Sequence, residues 1–211
     1  KYGSHVILKS LNVSVRAGEI VALMGRNGAG KSSLLTALVG LQKPTSGTSH
    51  ICGKASTDLK GKVRRESVGF IPQEPSDLLY GQSVVGECAQ GDKDNQIAPG
   101  TTFALLQRIV PSISPATHPR DLSEGQRLAL ALAIVLSAQP QVLILDEPTR
   151  GLDYQSKALL ISLLQNFSKE LGRCVLIATH DVELVADELV DFLLDPGERV
   201  ALIGRNGTGK S

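Results

Sequence analysis

Eight consecutive residues, Gly25-Arg26-Asn27-Gly28-Ala29-Gly30-Lys31-Ser32, have the types and spacing of a phosphate-binding loop, G-x-x-x-x-G-K-[ST]. Gly25, Gly28 and Gly30 carry no Cβ, so the backbone can turn tightly and press its N–H groups against phosphate oxygens. Lys31 supplies a point charge for β- and γ-phosphates. The Ser32 hydroxyl suits Mg²⁺, a hard cation that takes oxygen ligands. Four further polar residues stand where chemistry is expected. Asp146 and Glu147 directly follow the apolar run 141–145, His180 follows the run 174–178, and Gln73 follows the run 68–71, which Pro72 and Pro75 break.

The elements that must position these groups are legible around them. Residues 19–24 read as a buried strand before the loop. Leu34, Leu35, Leu38 and Leu41 predict a helix over 31–41, with its positive N-terminal end aimed at the phosphates. Strands at 68–71, 141–145 and 174–178 alternate with helices, which predicts a parallel α/β sheet with ligands at the carboxyl ends of its strands. Ser32, Gln73, Asp146 and His180 all fall just past such ends. Ser123 is a suitable N-cap for a helix reaching about 136, apolar nearly all round and so expected to be buried. An amphipathic helix is predicted over 154–171, with Leu160, Leu163, Leu164, Phe167 and Leu171 inward and Gly172 as its C-cap. Residues 182–190 also read as helix, and 6–15 as short strands with a turn. Pro99, Pro111, Pro115 and Pro119 cut 76–121 into pieces with helices at 83–89 and 101–109, an inserted helical subdomain.

Whole-chain properties exclude several classes. The chain has 211 residues, 42% hydrophobic but only 3% aromatic, with no Trp, so aliphatic packing must fill the core. A net charge of +1 provides no basic field for nucleic acid or anionic lipid. Cys52, Cys88 and Cys174 lack C-x-x-C spacing and read as core thiols in a reducing compartment. The longest apolar run, 128–138, falls short of the roughly 20 residues that cross a bilayer. No signal peptide is visible, and the absence of an initiating Met suggests a fragment or processed chain. His5, His50 and His118 have no acidic or Cys partner at ligand spacing and read as surface residues.

In this order the motifs resemble the ATP-binding cassette (ABC) ATPases, over residues 2–190: the P-loop, a Q-loop at Gln73, the signature Leu122-Ser123-Glu124-Gly125-Gln126, a Walker B strand with Asp146 and Glu147, a D-loop Gly151-Leu152-Asp153 and the switch His180. The resemblance implies a P-loop NTPase (RecA-like) core with a mostly parallel sheet, N-terminal antiparallel strands and an inserted α-helical subdomain. Its parts would be 1–75 (core with the P-loop), 76–136 (helical subdomain ending in the signature helix), 137–193 (core with Walker B and the switch His) and 194–211. It implies ATP and Mg²⁺ as ligands and a head-to-tail dimer with a second, identical or different, cassette. Nucleotide would be held by Tyr2 (stacking on adenine), Gly25, Asn27, Gly28, Ala29, Gly30, Lys31, Ser32 and Ser33. Ser123, Gly125 and Gln126 would complete the partner's site. Ser32, Gln73 and Asp146 would hold the metal; Glu147, His180, Gln73 and Lys31 would act in hydrolysis.

The segments 72–80, 118–127 and 146–154 are similar to ATPase subunits of energy-coupling factor (ECF) transporters. That implies a transmembrane partner, import of vitamins or metal ions, and a peripheral place on the cytoplasmic face of the membrane. A soluble, ribosome-associated ABC protein with two cassettes is the alternative. A DNA-repair type is disfavoured by the lack of heptads, zinc-type Cys spacing and a basic patch. The end of the chain bears on this choice, because 194–211 repeats 15–32 and carries a second loop, Gly204-Arg205-Asn206-Gly207-Thr208-Gly209-Lys210-Ser211. With no helix of its own to follow, this copy reads as part of a truncated tandem cassette or as the mark of a deletion or fusion, with a strand at 199–203 and little nucleotide binding at Lys210.

Overall fold

The computed structural model describes residues 11–25, 28–181 and, for the backbone alone, 201–204. Tyr2, Arg26, Asn27, Lys210, the helix expected over 182–190 and the first part of 6–15 lie outside the described residues.

A five-stranded sheet organises the molecule. Its strands in chain order are β1 (Ile20–Met24), β4 (Val68–Ile71), β5 (Val142–Asp146), β6 (Cys174–Thr179) and β7 (Ala201–Gly204), in the spatial order β4-β5-β6-β1-β7. The first four are parallel; β7 runs antiparallel to β1. A strand was expected near 199–203, and one forms at Ala201–Gly204 from the repeated segment. Because β6 and β7 take both sides of β1, residues 11–16 have no ladder to join there and form no strand. Two short strands, β2 (His50–Ile51) and β3 (Lys54–Ala55), form an antiparallel hairpin.

Alternation along the strands sends side chains to two cores. Ile20, Ala22, Leu143, Leu145, Val175 and Ile177 meet one face with Leu128, Leu132, Leu160 and Leu164. Val21, Leu23, Ile144 and Leu176 meet the other with Leu34, Leu35 and Val39. That period of two is what a parallel sheet covered on both faces requires. The covering helices are α1 (Lys31–Leu38), α5 (Glu124–Ser137) and α6 (Tyr154–Gln165), with a short helix α2 (Gly61–Ser67) before β4. Helices α3 (Val84–Asn95) and α4 (Thr101–Ile109) pack on α5 around a third cluster, with Val84, Cys88, Leu106, Leu130 and Ala133.

Asp92 joins α3 to α4. It is buried, and its two oxygens accept from the Gly100 amide at 2.6 Å and the Thr102 amide at 2.8 Å, capping the start of α4. Burial would raise its pKa, but hydrogen bonds from Thr102, Gly100 and Thr101 outweigh burial and hold the carboxyl below the usual carboxylate range. A depressed folded pKa contributes stability that is complete above the unfolded value of 3.8 and is lost as pH falls through the folded one. Asp92→Ala is therefore expected to cost about 1–3 kcal/mol at neutral pH in chemical denaturation. Its deficit against wild type should shrink below pH 3.8.

Several sequence expectations need correction. Helix α1 ends at Leu38, and the Leu41 and Gln42 amides both turn back to Thr36 O, so Leu41 is 59% exposed. The helix expected over 154–171 passes into a π turn at Asn166–Glu170. The wider turn keeps Phe167 buried but swings Leu171 out, 53% exposed. Helix α3 runs on from the expected 83–89 to Asn95. Cys52 is exposed, not core: with Gly53 it makes the two-residue turn between β2 and β3 at φ 50° and 78°, where a side chain must face solvent. Cys88 and Cys174 are buried, which pushes their thiols up to about 12 and about 11. His50 is exposed, whereas His118 accepts the Arg120 amide on Nδ1 at 3.1 Å and caps a short turn.

Candidate functional site

The parallel register sets the site. Met24 pairs with Thr179 and Asp146 with Ala178, so β1, β5 and β6 end level with one another. Gly30 is the N-cap of α1 at φ 95°, a left-handed conformation that favours glycine, and Lys31 opens the helix. Ile71 pairs with Leu145, so Gln73 stands beside the level of Glu147.

Lys31 is folded back into the protein. Its ammonium donates to Gly25 O at 2.7 Å and lies 3.0 Å from Glu147 Oε1, with both side chains under 10% exposed. The other Glu147 oxygen, Oε2, is 2.6 Å from His180 Nδ1 and accepts the His180 amide at 3.2 Å. Glu147 itself has φ 49°, an unusual backbone for a residue with a Cβ. Its amide donates to Ala178 O at 2.7 Å, extending the ladder one residue past β5 and fixing where the carboxylate emerges.

Asp146 is buried, and its Oδ1 has no hydrogen-bond partner. Burial pushes its carboxyl above the usual carboxylate range, and the Glu147 charge adds to this against the neighbouring Ser32 hydroxyl and Lys31. A buried carboxylate with an orphaned oxygen beside a serine hydroxyl fits a hard divalent cation. Among the described residues no group of three or more His, Cys, Asp and Glu is placed to hold a metal. A cation here would thus take its remaining oxygens from phosphate and water, the usual habit of Mg²⁺.

The other expected residues divide into two groups. Gly25, Gly28, Ala29, Gly30, Ser32 and Ser33 lie along the loop and the first turn of α1, all at least partly accessible, and Gln73 is exposed with no hydrogen bond to another described residue. Ser123, Gly125 and Gln126 form the start of α5. The Ser123 hydroxyl accepts the Gln126 amide at 3.2 Å, and the Gln126 side chain accepts the Ser123 amide at 3.1 Å. That capping box engages the Gln126 oxygen within its own chain and leaves the Glu124 and Gly125 amides, at the positive end of α5, without an intrahelical acceptor.

Some neighbours gave no sequence signal. Arg150 lies 2.7 Å from Glu74, joining the segments after Glu147 and after Gln73. Lys157 on α6 lies 2.8 Å from Asp181. Ser156 packs under Gly125, where a Cβ would come within 2.5 Å of its Oγ. Such contacts between distant segments leave no periodicity to read. Alanine suits a helix better than glycine by roughly 1 kcal/mol, so the close approach decides the outcome at Gly125. Gly125→Ala is expected to lower ATP turnover by roughly 100-fold, and Ser156→Gly should restore part of it in the double variant.

The family model described as ABC transporter matches residues 8–150. A Streptomyces coelicolor protein assigned as an ABC transporter ATP-binding protein is 54% identical over 199 residues, 92% of this chain and 34% of its own length. The chain thus spans about a third of that relative. An energy-coupling factor transporter ATP-binding protein of Methanosphaera stadtmanae is 35% identical over 84% of this chain and 66% of its own length. A dimeric ATP-binding cassette solved in a post-hydrolysis state with ADP and Pi superimposes with a TM-score of 0.76 at 27% identity, covering 87% of this chain and 85% of that one. By these matches the chain belongs to the ABC transporter ATPase family, whose members hydrolyse ATP.

Proposed function

We propose that this chain is an ATP-binding and ATP-hydrolysing cassette of a membrane importer of the ECF type, working head-to-tail with a second cassette. The observation that carries the reading is the buried Lys31–Glu147–His180 cluster beside Asp146 and Ser32, at the ends of three adjacent parallel strands. ATP phosphates would lie along the loop and the N-terminus of α1. Lys31 would then leave Glu147 for the β- and γ-phosphates, and the freed Glu147 carboxylate would orient and polarise the attacking water. His180, already held by Glu147, would turn toward the γ-phosphate, and Gln73 would meet the water and metal from its strand end. Asp146 and Ser32 would hold Mg²⁺, which supplies charge neutralisation at the phosphate oxygens. The Glu124 and Gly125 amides and the Ser123 hydroxyl would face the nucleotide of the other cassette, as an anion site presented by a helix N-terminus.

Support for a membrane partner comes from a groove of about 550 Å³ just past Gln73, lined by Leu79, Tyr80, Gln82, His118, Arg120 and Arg127. Tyr80 is largely exposed there. Among the described residues no helix is long and apolar enough to cross a membrane, so attachment to the cytoplasmic face would be peripheral, through the partner. The likeness to the Methanosphaera energy-coupling factor transporter protein favours the ECF type; the import of a vitamin or metal ion is our extension of that reading. The test is affinity purification of the protein that carries this chain, from membrane and ribosome fractions in parallel. Co-purification with an integral membrane protein is expected. Recovery with ribosomes alone would contradict the transport reading.

A further inference from the structure

Helix α2 buries none of its side chains, yet two consecutive arginines on it hold the ends of two other helices. Arg64 donates to Val39 O, at the end of α1, at 2.9 Å. Arg65 donates to Asn95 Oδ1 at 2.8 Å and to Asp94 O, at the end of α3. Asn95 is buried and passes the connection on. Its Nδ2 donates to Ser137 Oγ at 2.8 Å and to Ile134 O at 3.4 Å, at the end of α5. Two more contacts fasten the same end of α5. The Gln141 amide donates to Glu66 O at 3.0 Å, and Gly69 on β4 leaves no space for a Cβ beneath Val135.

The other end of α5 carries Ser123 and Gly125. Fourteen residues separate the fastened end from it, a lever of about 21 Å at 1.5 Å per residue. A tilt of about 5° at the fastened end would displace Ser123 by roughly 2 Å on a lever of that length. A misplacement of about 1 Å can cost roughly 100-fold in rate. We propose that Arg65 and Asn95 are positioning residues for ATP hydrolysis. They fix the direction of α5 relative to α1, and so the reach of Ser123 and Gly125 toward the second cassette's nucleotide. The inference rests on the two-cassette reading above. Arg65 suits this role because its planar fork serves two acceptors at once, which a lysine ammonium does not match.

The test uses Arg65→Ala, Asn95→Ala and Arg65→Lys in this chain, each compared with wild type at the same interval below its own melting temperature. Turnover and Mg-ATP binding are measured on the same samples. We expect kcat to fall roughly 10- to 100-fold with the dissociation constant changed less than about twofold, and Arg65→Lys to stay impaired. A second readout is independent of turnover. Spin labels at Leu41→Cys and Arg120→Cys, in a Cys52→Ser background, report the distance between the end of α1 and the start of α5. That distribution should shift or broaden by about 2 Å in Arg65→Ala. Superimposable distributions, or unchanged kcat in both alanine variants, would overturn the inference. A wild-type chain without turnover but with the label shift would support the positioning and overturn the hydrolytic reading instead.

Discussion

Glu147→Gln is expected to stop turnover and, at the same time, to tighten ATP binding. The carboxylate has two tasks that conflict. Before nucleotide arrives it neutralises Lys31 at 3.0 Å, and it must release that lysine before phosphate can be held. In the proposed mechanism it then polarises the attacking water. A positioned general base is worth roughly 10²–10⁴-fold, so kcat should fall by that order in the amide variant. The amide holds Lys31 without a charge, so the competition with phosphate weakens. A gain in Mg-ATP affinity of about tenfold, or about 1.4 kcal/mol, is expected by titration calorimetry. Turnover and affinity falling together would show that Glu147 binds nucleotide and does not compete with it.

Lys31→Ala should have the opposite signature. It removes the cation from a carboxylate buried in the protein, and breaking such a pair costs about 3–5 kcal/mol. The loss should fall at the lower end, because the His180 side chain is 58% exposed and keeps Oε2 in contact with a partner open to solvent. ATP affinity should drop at least 100-fold, since about 2.7 kcal/mol or more of charge-assisted phosphate binding disappears. Adding Glu147→Gln to Lys31→Ala should recover most of the stability and none of the binding. Chemical denaturation and nucleotide titration on the four proteins of the cycle separate the two effects. If the double variant is as unstable as Lys31→Ala, the ion pair is not what holds the unliganded site together.

Much of this was legible before any coordinates, for physical reasons that differ by element. Strands β1, β4, β5 and β6 are runs of apolar residues buried on both faces, so composition alone marks them to within a residue. Helix α4 emerged at 101–109 as expected. Helix α2 was missed because it buries no side chain and carries a single large apolar residue, Val63, on its exposed face. Polar contacts through Arg64 and Arg65 hold it, and these have no period. The exposed ends at Leu41 and Leu171 have a similar cause: leucine spacing continued past points where the backbone turned away. In the candidate site the residue types announced themselves at strand ends, but their pairing did not. Nothing in the spacing says that Lys31 rests on Glu147 or that Ser156 lies under Gly125. Those contacts join distant segments through single atoms.

Resemblance and geometry meet in one claim, that the P-loop at the start of α1 is half of a site which the start of α5 completes on a second molecule. Sedimentation of Glu147→Gln with Mg-ATP tests it most directly, with Mg-ADP as the comparison. The account predicts a dimer in ATP that reverts to monomer in ADP and is abolished by adding Ser123→Ala with Gly125→Ala. A chain that binds ATP and stays monomeric at every concentration would contradict it.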